Sequence, residues 1–214
     1  MNNLQPIRLL PARERVASVL RKAILSREMP EGSIITLEGI SSQLEVSNTP
    51  VREAFQILAR DGLIKQRPNK GAEVLGISPK FIRDHYETRA ILEREAAASV
   101  CRNGSDTTEI ENAYYRAKEA LETGDSTNYS NYNQAFHMAI WSAADNNKIR
   151  TLLSEMWNGL SMGHKVTEEQ YARISIMEHE KILQAILARN ESLAKELMNA
   201  HIIRSMENIL TRFN

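Results

Sequence analysis

The sequence predicts a mainly α-helical protein in two parts: a winged helix-turn-helix over residues 1–76 and an antiparallel all-α helical bundle over residues 77–214. Three observations predict it. The stretch Val46–Leu63 reads as a capped amphipathic helix, and it follows a shorter helix after a turn of about three or four residues, which is helix-turn-helix spacing. Two β-prone segments, Ile64-Lys65-Gln66-Arg67 and Ala72-Glu73-Val74-Leu75, bracket the turn-rich tip Pro68-Asn69-Lys70-Gly71. Beyond Ser78 no strand pattern and no internal repeat occurs, and apolar residues recur at helical spacing.

Taken in order, residues 11–27 form a first helix with Val16, Leu20, Ala23 and Ile24 on one stripe. Pro30-Glu31-Gly32 is a turn and Ile34-Ile35 a short β-prone piece. Thr36 caps a second helix whose Ile40 and Leu44 point inward. In the third helix Ser47 is a good N-cap, because a serine hydroxyl accepts from first-turn amides. Pro50 is tolerated there, since those amides have no partner inside the helix to lose. Val51, Ala54, Phe55 and Leu58 make the apolar stripe, and Gly62 supplies a left-handed stop. Asn48, Arg52 and Gln56 fall four residues apart on a polar face suited to a DNA major groove. Ser78 then caps, and Pro79 opens, the first of six helices at about 79–102, 106–123, 125–145, 147–162, 174–189 and 191–212. Asp106…Glu109 has the spacing of a capping box. The stretch 163–173 carries the weakest signal.

With 42% hydrophobic and 25% charged residues the 214-residue chain can bury a core and stay soluble. No apolar run approaches the roughly 18 residues of a membrane helix, no signal pattern opens the chain, and one cysteine, Cys101, rules out an intrachain disulfide framework. A cytoplasmic protein without membrane partners is expected. The zero net charge conceals a split: residues 1–78 hold 11 Lys/Arg against 8 Asp/Glu, and residues 79–214 hold 16 against 19. A mildly basic first part is compatible with phosphate contacts.

Three of the five histidines sit on apolar stripes: His137 with Ile140, Trp141 and Ala144; His179 with Ile176, Leu183 and Ile186; His201 four residues after Leu197. Aimed at one interior, they either find hydrogen-bond partners as core residues or share a metal ion, which takes one nitrogen of each ring; nitrogen-rich sites suit zinc, nickel, cobalt or iron. Spacing alone leaves both readings open. Asn133 lies one turn before His137 and can offer an oxygen to the same ion. Arg89, suited to a carboxylate by its planar fork, also stands four residues before Glu93, where a salt bridge is the alternative. His85 and His164 read as ordinary residues.

The N-terminal pattern Leu20-Arg21…Ile24-Leu25, Val46-Ser47-x-Thr49-Pro50-Val51-Arg52-Glu53-Ala54, Asp61-Gly62-Leu63-Ile64 and Gly71-Ala72-x-Val74 resembles the DNA-binding domain of GntR-family repressors across residues 11–76. Asn133-x-x-Phe136-His137, Ala143-Ala144-x-Asn146, Glu178-His179-x-x-Ile182-Leu183 and Ala194-x-x-x-Met198-x-x-His201 resemble the FCD effector-binding domain of the FadR subfamily, over most of residues 80–205. Six helices place it with the shorter, VanR-like branch. The resemblance implies a ligand-responsive DNA-binding transcriptional regulator, a repressor, acting as a homodimer on a double-stranded operator. It implies DNA contacts from Ser47, Asn48, Thr49, Arg52, Lys70 and Gly71, a divalent metal, zinc or nickel, on Asn133, His137, His179 and His201, and a small carboxylate effector on Arg89. Asn133 stands where an Asp is more usual. Asn48 replaces a usual Arg and Glu45 a usual Gly; asparagine pairs best with adenine where arginine pairs with guanine. A metalloregulator in which the ion is the signal is the alternative. A three-histidine metalloenzyme is a rival from another class, but His179-Glu180 lacks the second histidine of the zinc-protease pattern and no nucleophile-elbow or phosphate-loop glycines occur.

Overall fold

Val16, Leu20 and Ile24 are buried along one side of α1 (Ala12–Leu25), the stripe that helical spacing requires. The structure is a computed structural model that describes residues 11–25, 28–68, 70–160 and 169–211. The expected ends of the first helix at 26–27, the wing-tip Asn69, the span 161–162 of the fourth bundle helix, His164 and the last residue of the final helix lie outside the described residues. The chain divides into two compact units, the first running to Ile77 and the second opening at Ser78, with residues 158–160 at the end of the fourth bundle helix grouped with the first.

The first unit continues with β1 (Ile34–Ile35), α2 (Leu37–Leu44), α3 (Asn48–Arg60), β2 (Ile64–Arg67) and β3 (Gly71–Val74). Thr36 caps α2 as expected, its hydroxyl accepting from the Gly39 amide at 3.0 Å. Ile40, Val51, Ala54, Phe55 and Leu58 are buried, with Leu63, Ile64, Ala72 and Val74 contributed by the wing. The strands form an antiparallel sheet in the order β1-β3-β2, with Arg67 opposite Gly71 and Ile34 opposite Glu73. The wing's return strand therefore starts at Gly71 rather than Ala72. Gly71 has φ +82°, and a Cβ there would lie 2.1 Å from the Ile35 carbonyl oxygen, so only glycine lets β3 lie this close to β1.

The second unit is six helices: α4 (Pro79–Asn103), α5 (Thr108–Glu122), α6 (Ser126–Ala143), α7 (Asn147–Leu160), α8 (Glu169–Leu187) and α9 (Glu191–Leu210). Ser78 accepts from the Phe81 amide at 3.1 Å with Pro79 at the first position, and Asn190 accepts from Leu193 at 3.1 Å. The expected Asp106–Glu109 capping box does not form. Thr107 is the N-cap of α5, Asp106 accepts from the Thr108 amide at 3.0 Å, and the Thr107 hydroxyl donates to Glu111 at 2.9 Å instead. Helix α8 starts at Glu169, five residues before the expected 174, because Ala172 is buried and the Tyr171 hydroxyl bonds Ser205 of α9 at 3.0 Å. Helix α4 packs along α9, and α5 packs on α6 and α8. Ala117, Ala120, Tyr129 and Ala172 form one cluster at the second of these seams, where small side chains let the helices close on the Tyr129 ring.

Candidate nucleic-acid interface and candidate metal centre

On α3 the two faces separate as amphipathic spacing demands. Val51, Ala54, Phe55 and Leu58 are buried, whereas Ser47, Asn48, Thr49, Arg52 and Gln56 are exposed. Ser47 occupies the N-cap position in an extended conformation (φ −71°, ψ 163°), but its hydroxyl makes no capping hydrogen bond. That differs from expectation, and it leaves an exposed hydroxyl beside first-turn amides that have no partner within the helix. Helix N-termini attract anions for this reason. Lys70 is exposed at the wing tip, while Gly71 owes its place to the close approach of β1. The preceding turn contains Glu45 with φ +52°, the left-handed C-cap of α2.

The second unit brings His137 of α6, His179 of α8 and His201 of α9 together. All three are buried, and one ring nitrogen from each lies within 4.8 Å of the other two. Two are held by carboxylates. His137 Nδ1 lies 3.2 Å from Glu93 Oε2, and His201 Nδ1 lies 2.6 Å from Glu178 Oε2. A carboxylate only accepts, so each Nδ1 is the protonated nitrogen and each Nε2 lone pair is left for the interior. His179 Nε2 is 3.2 Å from His201 Nε2, its ring stacks on Phe136 with centroids 4.4 Å apart, and its buried Nδ1 has no hydrogen-bond partner. An orphaned buried nitrogen costs about 1–3 kcal/mol.

Each carboxylate is shared with an arginine. Arg89 donates to Glu93 Oε1 from Nε at 3.0 Å and from Nη2 at 2.9 Å, and Trp141 Nε1 donates to Oε2 at 2.7 Å. Arg204 donates to Glu178 Oε1 and Oε2 at 2.7 Å each and to the Ser175 hydroxyl at 2.9 Å. Burial alone would raise the Glu93 pKa; the charges of His137 and Arg89 and the bonds from His137 and Trp141 outweigh it and bring it down to about 2. Burial, then the charges of His201 and His137, hold His179 well below its ordinary value. Burial also takes His201 down to about 4, against the upward pull of its bond to Glu178. Neutral imidazoles are the form that binds cations. Three buried rings with converging nitrogens, two of them held neutral by burial, therefore fit a divalent ion.

Asn133 is half-buried on α6, one turn before His137. Arg89 is buried and pairs with Glu93, so the alternative salt bridge does form, though in the interior rather than on a surface; its guanidinium also lies 4.4 Å from the Trp157 ring centroid. Sequence reading saw Glu93 only as a salt-bridge partner of Arg89 and missed its contact with His137, and it missed the contact of Glu178 with His201. Glu93 had a signal: it falls on the stripe Tyr86, Ala90, Glu93, Ala97, Val100, whose other members are apolar and buried. Glu178 points away from its neighbour His179 and reaches His201 on the next helix, a pairing no local spacing reveals.

Residues 12–74 match the gntR family of bacterial regulatory proteins, and residues 84–204 match the FCD domain family. The chain belongs to the GntR family. This GntR–FCD chain is 28% identical to the gluconate operon transcriptional repressor of Bacillus subtilis over 84% of this chain and 77% of that one. It is likewise 28% identical to the probable D-xylose utilization operon transcriptional repressor of Paenarthrobacter nicotinovorans, over 89% and 87% of the two chains. A transcriptional regulator GntR from Rhodococcus sp. RHA1, described as putative, superposes with a TM-score of 0.67 at 26% identity, covering 93% of this chain and 97% of that one. Escherichia coli McbR/YncC shares the fold with a TM-score of 0.74 over 96% of this chain and 100% of that one, at 18% identity. The GntR–FCD chain is a transcriptional regulator rather than an enzyme, of a family that binds DNA operators. Among the described residues no helix is long and apolar enough to cross a membrane.

Proposed function

We propose that this GntR–FCD regulator is a repressor that acts as a homodimer, with two copies of α3 entering successive major grooves about 34 Å apart on a near-palindromic operator. Ser47, Asn48, Thr49 and Arg52 make the major-groove contacts, and Lys70 and Gly71 bring the wing to the minor groove. Asn48 directs one position of the half-site toward adenine. The helical unit holds a divalent ion, zinc or nickel, on His137, His179 and His201 with Asn133 as a further oxygen donor, and takes a small organic acid that Arg89 helps to recognise. One observation carries the metal reading: three buried imidazoles converge within 4.8 Å, with Glu93 and Glu178 fixing two of them so that Nε2 is the nitrogen offered. When bound, the ion supplies Lewis-acid attraction for a carboxylate and removes the cost of clustered imidazole lone pairs. The repressors of gluconate and D-xylose operons among the relatives support repression as the default action.

The test is metal analysis of the purified full chain beside its His137→Ala/His179→Ala variant, with operator binding measured for both. The wild type is expected to carry close to one zinc or nickel per chain, the variant none, and only the wild type's operator affinity should respond to chelator. A wild type that carries no divalent ion and takes none up on titration would overturn the reading.

A further inference from the structure

We propose that Glu93 makes acid binding by the helical unit depend on the divalent ion, because it acts as the internal counter-ion of Arg89. The inference rests on the metal-and-acid reading above and adds to it the order of binding. Glu93 is fully buried and Arg89 is 4% exposed, so this is an interior pair. Guanidinium Nε and Nη2 both donate to Oε1, at 3.0 and 2.9 Å, and Oε2 takes the Trp141 indole at 2.7 Å and His137 at 3.2 Å. The guanidinium plane is further held against Trp157.

The same arrangement recurs across the cluster, where Arg204 is forked onto Glu178, the partner of His201. Among the described residues, the permanently charged groups hydrogen-bonded to the three histidines or to those carboxylates are therefore two guanidiniums and two carboxylates. Their charges cancel. A free carboxylate entering this interior meets no net positive charge, and reaching Arg89 means breaking a buried pair and leaving Glu93 less compensated, which is strongly unfavourable. The donor set offered to an ion contains only imidazoles and the Asn133 amide, all neutral, so the ion's two positive charges stay unbalanced and become the field that attracts the acid. Glu93 thus keeps Arg89 from responding to anions by itself, and Arg89 contributes only once the ion is in place. By linkage, the acid then tightens the ion by the same factor as the ion tightens the acid.

The experiment uses the EDTA-treated full chain, with cobalt(II) as the metal probe and acetate as the acid probe. Cobalt uptake is followed by its visible ligand-field bands, and acetate binding by calorimetry on metal-free and zinc-loaded protein. Acetate should bind the loaded protein at least about tenfold more tightly, within the roughly 5–150-fold range of such couplings. Metal-free Glu93→Gln should gain acetate affinity over metal-free wild type, because Arg89 is released. If its helical circular dichroism is lost, the comparison of metal-free and zinc-loaded wild type decides the inference by itself. Cobalt binding with equal acetate affinity in the two wild-type states overturns the inference while leaving the metal reading intact. So does a folded Glu93 variant whose metal-free acetate affinity is unchanged, and so does acetate bound by neither state. Failure to bind cobalt removes the metal reading itself.

Discussion

Glu45 sits at φ +52°, ψ 43° between the two helices of the helix-turn-helix, a conformation that crowds the Cβ of any L-residue. Left-handed backbone costs an ordinary residue about 1–2 kcal/mol, and glycine's extra freedom in the unfolded chain returns about 0.5–1 kcal/mol of that. Glu45→Gly should therefore stabilise the winged unit by roughly 0.5–1 kcal/mol. A denaturant melt in which the variant is less stable than wild type would show that the Glu45 side chain makes a compensating contact. The buried titratable residues give a second prediction, for metal-free protein. His179 and His201 have folded pKa values below the ordinary 6.5, so the unfolded chain binds more protons than the folded one between 6.5 and those lower values. Their contribution is fully present above pH 6.5 and is lost as pH falls toward about 4 for His201. Glu93, lowered from 4.5 to about 2, acts with the same sign in a lower window, its contribution being lost as pH falls from 4.5 toward 2. A tenfold difference in proton affinity is worth about 1.4 kcal/mol, so stability should drop by at least about 2 kcal/mol between pH 7 and pH 4.5. His201→Asn should flatten that drop, and urea melts at the two pH values in wild type and variant measure both.

At the scale of elements, the parts of the fold governed by local chemistry were legible. The stripe of α3, the caps at Thr36 and Ser78 and the six bundle helices follow from residues a turn apart. Features that depend on distant partners were not legible. Helix α8 begins early because Tyr171 finds Ser205, thirty-four residues later, and Glu178 matters because His201 is brought beside it. The histidine positions could be chosen from spacing plus family resemblance; the carboxylates that orient them are set by helix packing across the unit. Gly71 was read as a wing contact to DNA, and the structure gives it a reason of its own. A Cβ there would meet the Ile35 carbonyl oxygen at 2.1 Å, and φ is +82°. Gly71→Ala should destabilise the winged unit by on the order of 2 kcal/mol through strain and loss of β1–β3 pairing. Operator affinity should fall with it, whereas Lys70→Ala should weaken operator binding at unchanged stability. If Gly71→Ala melts like wild type and only DNA binding falls, the glycine's role lies in the contact and not in the sheet.

For the whole molecule, a regulator's response is a coupling free energy between what the helical unit binds and what the winged unit binds. The histidine cluster sits among α4, α6, α8 and α9, so an ion drawn onto His137, His179 and His201 cross-links three of these helices and, through Glu93, reaches the fourth. An ion or acid that fits one arrangement of these helices better than another shifts the population toward it, and operator affinity changes by that differential alone. The expected coupling is roughly 5–150-fold in operator affinity between zinc-loaded protein with acid and the same protein without it. Operator titrations in three states, chelated, zinc-loaded, and zinc-loaded with saturating acid, separate the two forms of control. A change at the second state alone makes the ion the signal; a change that waits for the third makes the acid the signal and the ion its platform, the outcome the Arg89–Glu93 pair predicts. Zinc affinity measured with and without operator must then show the same factor as operator affinity measured with and without zinc. Three superimposable operator curves would mean that the histidine cluster does not govern DNA binding at all.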